Sequence, residues 1–258
     1  QDIVFHLAGI KGSPVLTRDK PASFFVPTIM FNTHVLDACM KNDIEWTLYT
    51  STVGVYGPSE FLKEDDLWKA FPSKNDWFAG WAKRMGEIQL DAYRIERKKA
   101  NFSIVRPVNV HGKFDNFNPE TSMVIPSLIH KIINTKDKIT LWGDGSPVRD
   151  FVSAYDVARA MIFCVEHEIS EPLNIGSGVG YSIKELAEKI IRLSGSKVDI
   201  EWDTTKPNGD ARRVADISKL LSYGFRLEKS LDESLKEVID WYIVNKSNLQ
   251  KRYDVFLK

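Results

Sequence analysis

Cysteine is almost missing from this chain of 258 residues: Cys39 and Cys164 stand far apart inside helix-like patterns, so no disulfide framework is expected. A charge excess of either sign is missing too. The 35 Lys and Arg balance 35 Asp and Glu, so no net field recruits nucleic acid or an anionic membrane, although a local basic patch can still hold phosphate. No apolar run reaches the roughly 18 residues needed to span a bilayer, and the opening residues do not read as a signal peptide. The expected compartment is the cytoplasm, with no nucleic-acid or membrane partner and no metal site. Repeats, low-complexity tracts and flexible linkers are also absent. So is any Gly-x-x-Gly-x-x-Gly turn after an opening strand, the turn that seats a dinucleotide pyrophosphate on a helix N-terminus.

What is present is an ordinary globular composition, 43% hydrophobic and 27% charged, long enough for a sizeable core. Short apolar runs alternate with longer amphipathic segments, the pattern of a parallel sheet with crossover helices. Residues 3–7, 45–51 and 102–105 are rich in Val, Ile, Thr and aromatics and read as strands. Residues 24–41 and 78–99 read as helices. In the second, Met85, Ile88, Leu90, Tyr93 and Ile95 lie among Lys, Arg and Glu at helical spacing, with Asn75 or Asp76 as cap. Beyond about residue 114 the pattern loosens into helices near 124–133, 157–166, 183–193 and 230–244 and strands near 139–142 and 173–175. Ser182 with Glu185, and Ser230 with Glu233, form Ser-x-x-Glu capping boxes. The chain opens in mid-sheet, since residues 2–9 read as a buried strand running into a turn with no flanking strand. A missing beginning of about 60–70 residues, a few βα units, is therefore expected.

Several segments carry chemistry in a recognisable order. They are His6-Leu7-Ala8-Gly9 after the first strand, Ser51-Thr52-Val53-Gly54-Val55-Tyr56-Gly57, Arg106-Pro107-Val108-Asn109-Val110-His111-Gly112, Arg149-Asp150-Phe151-Val152 with Asp156-Val157-Ala158, and Asn174-Ile175-Gly176-Ser177-Gly178. Each alone is weak. In this order and spacing the chain resembles the extended short-chain dehydrogenases/reductases, the NAD-dependent nucleotide-sugar epimerase/dehydratase family. Residues 115–119 with Val124-Ile125-Pro126, and the loop from Trp202 to Asp210 with Arg212, Arg213 and Asp216, resemble the GDP-L-fucose synthase branch. The likeness runs from residue 2 to about residue 245.

The resemblance implies an α/β fold: a Rossmann-like doubly wound parallel sheet, incomplete at its start, over residues 1–113. A smaller α+β substrate lobe would follow over 114–258, with some segments returning to the sheet. It implies hydride transfer at a carbon of a nucleotide-diphosphate sugar, GDP-linked by preference, with NAD or NADP, in a homodimer joined through helices 24–41 and 78–99. Thr52 would polarise the sugar oxygen and Lys83 would anchor the cofactor ribose. Leu7, Ala8, Gly9, Arg106, Pro107 and Val108 would line the cofactor, and Asn109, Arg149, Lys206 and Arg212 the sugar nucleotide. A diphosphate buried between low-dielectric walls needs paired cations, and Arg149, Lys206 and Arg212, in Gly- and Pro-rich turns, are open to two readings, as a converging phosphate clamp or as solvated loop charges. Trp142 and Trp202 are open to two readings, as stacking platforms or as lobe core.

Departures from the family pattern concern the chemistry. The family's Tyr-x-x-x-Lys has Ala79 in the Tyr position, four residues before Lys83, so the usual proton carrier is gone. Gly54 and Met123 stand where the fucose synthases use a Cys and a His for 3,5-epimerisation, so that reaction is not expected. The small Gly80 is expected to let a ligand approach Lys83. The rival reading keeps the fold and the nucleotide sugar but not catalysis, leaving a binding protein.

Overall fold

The computed structural model describes residues 1–10, 17, 19–206 and 208–249. The first half runs β1 (Ile3–His6), α1 (Pro21–Lys41), β2 (Trp46–Thr50), α2 (Trp77–Arg97), β3 (Phe102–Pro107) and β4 (Asn109–His111). Then come α3 (Val124–Asn134), β5 (Lys138–Trp142), β6 (Val148–Arg149), β7 (Phe151–Ser153), α4 (Ala154–Glu166) and β8 (Leu173–Ile175). The chain continues through β9 (Tyr181–Ser182), α5 (Ile183–Ser194), β10 (Asp199–Asp203), β11 (Arg212–Arg213), α6 (Ser218–Ser222) and α7 (Leu231–Asn245).

Strands β1, β2, β3 and β8 form the main sheet in that spatial order, all parallel, with Ile3 opposite Trp46, Thr47 opposite Phe102 and Val105 opposite Leu173. Parallel neighbours need crossovers, and α1 and α2 supply the first two. Period-2 alternation sorts the side chains between the faces. Tyr49 and Ile104 enter the core beneath α1 and α2, with Leu36 and Leu90. Leu48 and Val105 point the other way, into the core that holds Val157, Ala160 and Cys164 of α4. Helices therefore cover both faces of the sheet, as the alternating pattern predicts.

A second apolar core lies under α3, α5 and α7, built on Ile129, Ile132, Leu186, Ile190, Leu235 and Ile239. Its strands are short: β5 pairs in parallel with β10, β4 with β7, and β6 lies between β11 and β9. Both capping boxes form, Ser182 with Glu185 and Ser230 with Glu233, each side chain bonding the other's backbone N–H. The expected caps of α2 do not: Asp76 occupies the N-cap position, but its side chain makes no cap bond.

Helix α2 departs most from its sequence reading. Leu90 is buried, but Met85, Ile88 and Ile95 are exposed; the face against the sheet is Gly80, Ala82, Arg84, Gly86, Glu87 and Leu90. The small residues bring the helix backbone close to β2. A Cβ on Gly86 would lie 2.3 Å from the Tyr49 hydroxyl, and one on Gly80 would lie 2.4 Å from the Gly54 carbonyl oxygen. Gly80 thus admits neighbouring protein backbone rather than a ligand, which corrects the expectation for it.

Candidate functional site

Ligands of open parallel sheets sit beyond the carboxyl ends of the strands, and five of the expected residues lie there: Leu7, Ala8, Gly9, Thr52 and Lys83. Thr52 follows β2 in extended conformation and opens the one-turn 3-10 helix Val53–Val55, its Oγ1 accepting from the Gly54 N–H at 3.2 Å. Accepting leaves the hydroxyl proton available for a second partner. Leu7, Ala8 and Gly9 follow β1 and are all exposed. Among the described residues nothing lies within 4 Å of a Cβ placed on Gly9, which leaves room there for close approach to the backbone.

Lys83 projects from α2 toward the same strand ends. Its Nζ donates to the Thr50 carbonyl at 2.8 Å and lies 5.2 Å from the centre of the Tyr49 ring. Burial pulls its pKa down to about 8, against a smaller opposing effect of Glu87. Glu87, one turn further on, is engaged elsewhere. Its Oε1 accepts from Ser51 Oγ at 2.5 Å and Arg106 Nε at 3.1 Å, and its Oε2 from Arg106 at 2.7 Å. Lys83 is left half-buried, with no carboxylate bridge among the described residues. The helix is braced from behind: the Tyr49 hydroxyl donates to the Lys83 carbonyl at 3.2 Å and accepts from Asn32 at 3.0 Å, and Asn32 holds His6 Nε2 at 2.9 Å.

Arg106 corrects an expectation. Rather than facing the cofactor, its guanidinium is buried, fork-paired with Glu87 and donating to the Tyr56 hydroxyl at 2.7 Å and the Glu64 carbonyl at 3.1 Å. Burial opposes its charge, but Glu87 outweighs burial and holds it ionised. Tyr56 passes the network to Asn174 Oδ1 at 2.8 Å, so the side chain ties α2 to β8. Pro107 and Val108 are buried as well, Val108 in the sheet core, which leaves only their backbone to face a ligand. Asn109 is half-buried, its Nδ2 donating to the Asp150 carbonyl at 2.9 Å.

The three expected phosphate cations do not converge. In β6 and β11, Arg149 pairs in register with Arg213 and Val148 with Arg212, so alternation puts Arg213 rather than Arg212 beside Arg149. Arg212 turns away, donating to the Glu60 carbonyl at 3.0 Å and lying over the Phe61 ring. Lys206 is exposed and extends over Trp142, 5.8 Å from that ring's centre. Trp142 is exposed, whereas Trp202 packs on Gly145, whose φ of +77° places its backbone against the indole. The loop carrying Lys206 includes Pro207, which lies outside the described residues.

Arg149 itself is half-buried. Burial, with Arg213 alongside, lowers its pKa, and no carboxylate bridges it among the described residues. Its neighbour Arg213 is fully partnered, by Asp76, by Asp210 at 2.8 Å and by Ser73 Oγ at 2.9 Å. Asp150, between β6 and β7, is fully buried and accepts from the backbone N–H of Ser177, Gly178 and Ala215 and from the Ser177 hydroxyl. Burial raises its pKa and these donors oppose the rise. Asp76 and Arg213 were not foreseen, because only the strand register shows which of two consecutive arginines faces the cleft.

A parallel α/β sheet covered by helices on both faces, with a half-buried lysine on a flanking helix near the strand ends, defines a Rossmann-like α/β protein. The sequence profile of the NAD dependent epimerase/dehydratase family matches residues 1–176, and the chain belongs to that family. It is 33% identical over 236 residues to GDP-L-fucose synthase 1 of Arabidopsis thaliana, covering 88% of this chain and 72% of the relative. It is 32% identical over 248 residues to the GDP-L-fucose synthase of Sinorhizobium fredii, covering 93% and 78%. The fold superposes on a GDP-L-fucose synthetase crystal structure from Naegleria fowleri with a TM-score of 0.85 at 23% identity, covering 97% of this chain and 79% of that one.

Proposed function

We propose that this chain is an NAD- or NADP-dependent enzyme that moves a hydride to or from a carbon of a nucleotide-diphosphate sugar, GDP-linked by preference. The names of the 33% and 32% identical relatives support the substrate class. The observation that carries the reading is Arg149: a half-buried guanidinium with no direct carboxylate bridge among the described residues, supported only at a distance by Asp210 and Asp76, is costly unless an anion arrives to pair with it. Arg149 would hold the diphosphate, and Lys206 would reach it from the exposed loop. The residues that fit the cofactor are Lys83, whose ammonium donates once to the Thr50 carbonyl and keeps further N–H donors for ribose hydroxyls, and the exposed backbone at Leu7, Ala8 and Gly9. When bound, nicotinamide supplies or accepts the hydride. Thr52 would donate to the reacting sugar oxygen, and Asn109 would form the pocket wall.

Gly54 and Met123 carry no acid–base group, so the reaction proposed here is hydride transfer without 3,5-epimerisation. We place the protein in the cytoplasm as a homodimer. No described helix is long and apolar enough to cross a membrane, and Cys39 and Cys164 are free and buried.

The test follows nicotinamide absorbance with GDP- and UDP-sugars, and nucleotide-sugar binding by calorimetry. Turnover is expected, and Arg149→Ala should raise KM at least tenfold, the loss of one charge-assisted contact of about 1.5–3 kcal/mol. Binding without turnover would make the chain a binding protein instead. No binding of any nucleotide sugar would defeat both.

A further inference from the structure

The chemistry proposed above needs a group that exchanges a proton with the sugar oxygen, and Ala79 has none to offer. We propose that Asp76, one turn earlier, is that group. The inference rests on the nucleotide-sugar reading.

Asp76 stands at the N-terminal end of α2, where its carboxylate does not cap its own helix. Instead it turns toward the end of β2. A Cβ built on Gly54 would lie 3.5 Å from Asp76 Oδ2 and 3.5 Å from Thr52 Oγ1. The same Cβ would lie 3.3 Å from Thr52 Cγ2, so the carboxylate and the Thr52 hydroxyl face each other across a gap about one methyl wide, left by the missing side chain of Gly54. A sugar hydroxyl there, or a hydroxyl with one water, meets a hydroxyl donor on one side and a proton acceptor on the other.

The other ionisable groups around this space are committed. Lys83 is bonded to the Thr50 carbonyl, and both Glu87 oxygens are held by Arg106 and Ser51. Tyr49 and Tyr56 are buried, and burial drives both phenols up, away from proton transfer. His6 is buried on Asn32. Asp210 is shared by Arg213 and Asn75. Asp76 has one partner, Arg213, which stands next to Arg149, so an arriving diphosphate competes for the guanidinium that holds it. Substrate would thereby release the carboxylate it needs.

In the oxidising direction the hydroxyl O–H and the C–H on the same carbon break. The proton goes to the Asp76 carboxylate, the hydride with its electron pair goes to oxidised nicotinamide, and the C=O bond forms. In the reducing direction the carboxylic acid returns the proton to the oxygen.

The experiment compares Asp76→Asn, Asp76→Glu and the double variant Asp76→Asn with Ala79→Tyr, reading melting temperature, nucleotide-sugar Kd and kcat. Asp76→Asn should keep Kd within about threefold and lose at least about 100-fold in kcat, the scale of a lost acid–base group. Adding Tyr at position 79 should recover at least about tenfold, which a purely structural Asp76 would not allow. Asp76→Glu keeps the charge against Arg213, so it should fold, bind and retain part of the rate. Asp76→Asn within threefold of wild-type kcat, or a double variant as slow as the single one, would overturn the proposal and leave the nucleotide-sugar reading standing. A wild-type chain without turnover would defeat that reading and this inference with it.

Discussion

Lys83 keeps its charge where burial disfavours it, and the sign of that effect is testable. Its pKa in the folded chain, about 8, lies below the 10.5 of a free lysine. Between those values the unfolded chain holds a proton the folded chain lacks, so stability contributed by this group rises with pH across that window. Cofactor anchoring has the opposite trend, because it uses the ammonium form. Cofactor affinity is expected to fall as pH rises through about 8, and Lys83→Met should bind weakly with that dependence gone; fluorescence titration across the range checks both. Arg106 and Glu87 behave as a buried pair. Arg106→Met strands a buried carboxylate and should cost about 3–5 kcal/mol in denaturant unfolding, whereas Arg106→Met with Glu87→Met should be far milder. The positions of Thr52, Lys83 and Arg149 in the fold were legible in the sequence because each sits in a motif tied to a strand or helix. The role of Arg106 was not, since a motif arginine reads the same whether it meets a ligand or a buried glutamate.

Among the elements, α2 shows where hydrophobic periodicity misleads. Its apolar side chains at Met85, Ile88 and Ile95 look outward, and its core face is made of glycine, alanine and paired charge. Close packing, not apolar area, sets the helix against β2. Gly86→Ala tests this. Helix propensity alone would favour alanine by about 1 kcal/mol, but the added methyl meets the buried Tyr49 ring and hydroxyl, and overpacking costs about 1–3 kcal/mol. A lowered melting temperature is expected, and Tyr49→Phe should relieve part of it. The longer elements were readable from pattern and caps, notably α5 and α7 with their capping boxes. Strands of two or three residues, such as β6, β9 and β11, carry no period at all. They became visible only when the chain was folded, and with them the pairing of Arg149 and Arg213.

For the molecule as a whole, the exposed face of α1 and α2 carries Val26, Met30, Phe78, Met85 and Ile88. Exposed apolar side chains on two neighbouring helices favour association, in line with the homodimer proposed through these helices. Met85→Glu is expected to halve the mass seen by light scattering; an unchanged mass would remove these helices from the interface. His111 sets an acid limit for the fold. Burial lowers its pKa to about 4 from 6.5, and its Nε2 is bonded to Ser234 Oγ at 2.9 Å. The unfolded chain takes up that proton first, so stability is lost as pH falls from about 6.5 toward 4. His111→Gln should flatten the fall in melting temperature over that window.

The Asp150 carboxylate bears on how the chain is held together. Its donors lie 27, 28 and 65 positions further along, in segments that this side chain joins. Closing loops of that length is an entropic cost met before the contacts repay it. The sheet pairs over similar separations, Ile3 with Trp46 and Thr47 with Phe102, so the Asp150 contacts and the sheet carry comparable closure costs. One buried carboxylate thus fastens three distant stretches of the chain beside Arg149, and its loss would loosen all three at once.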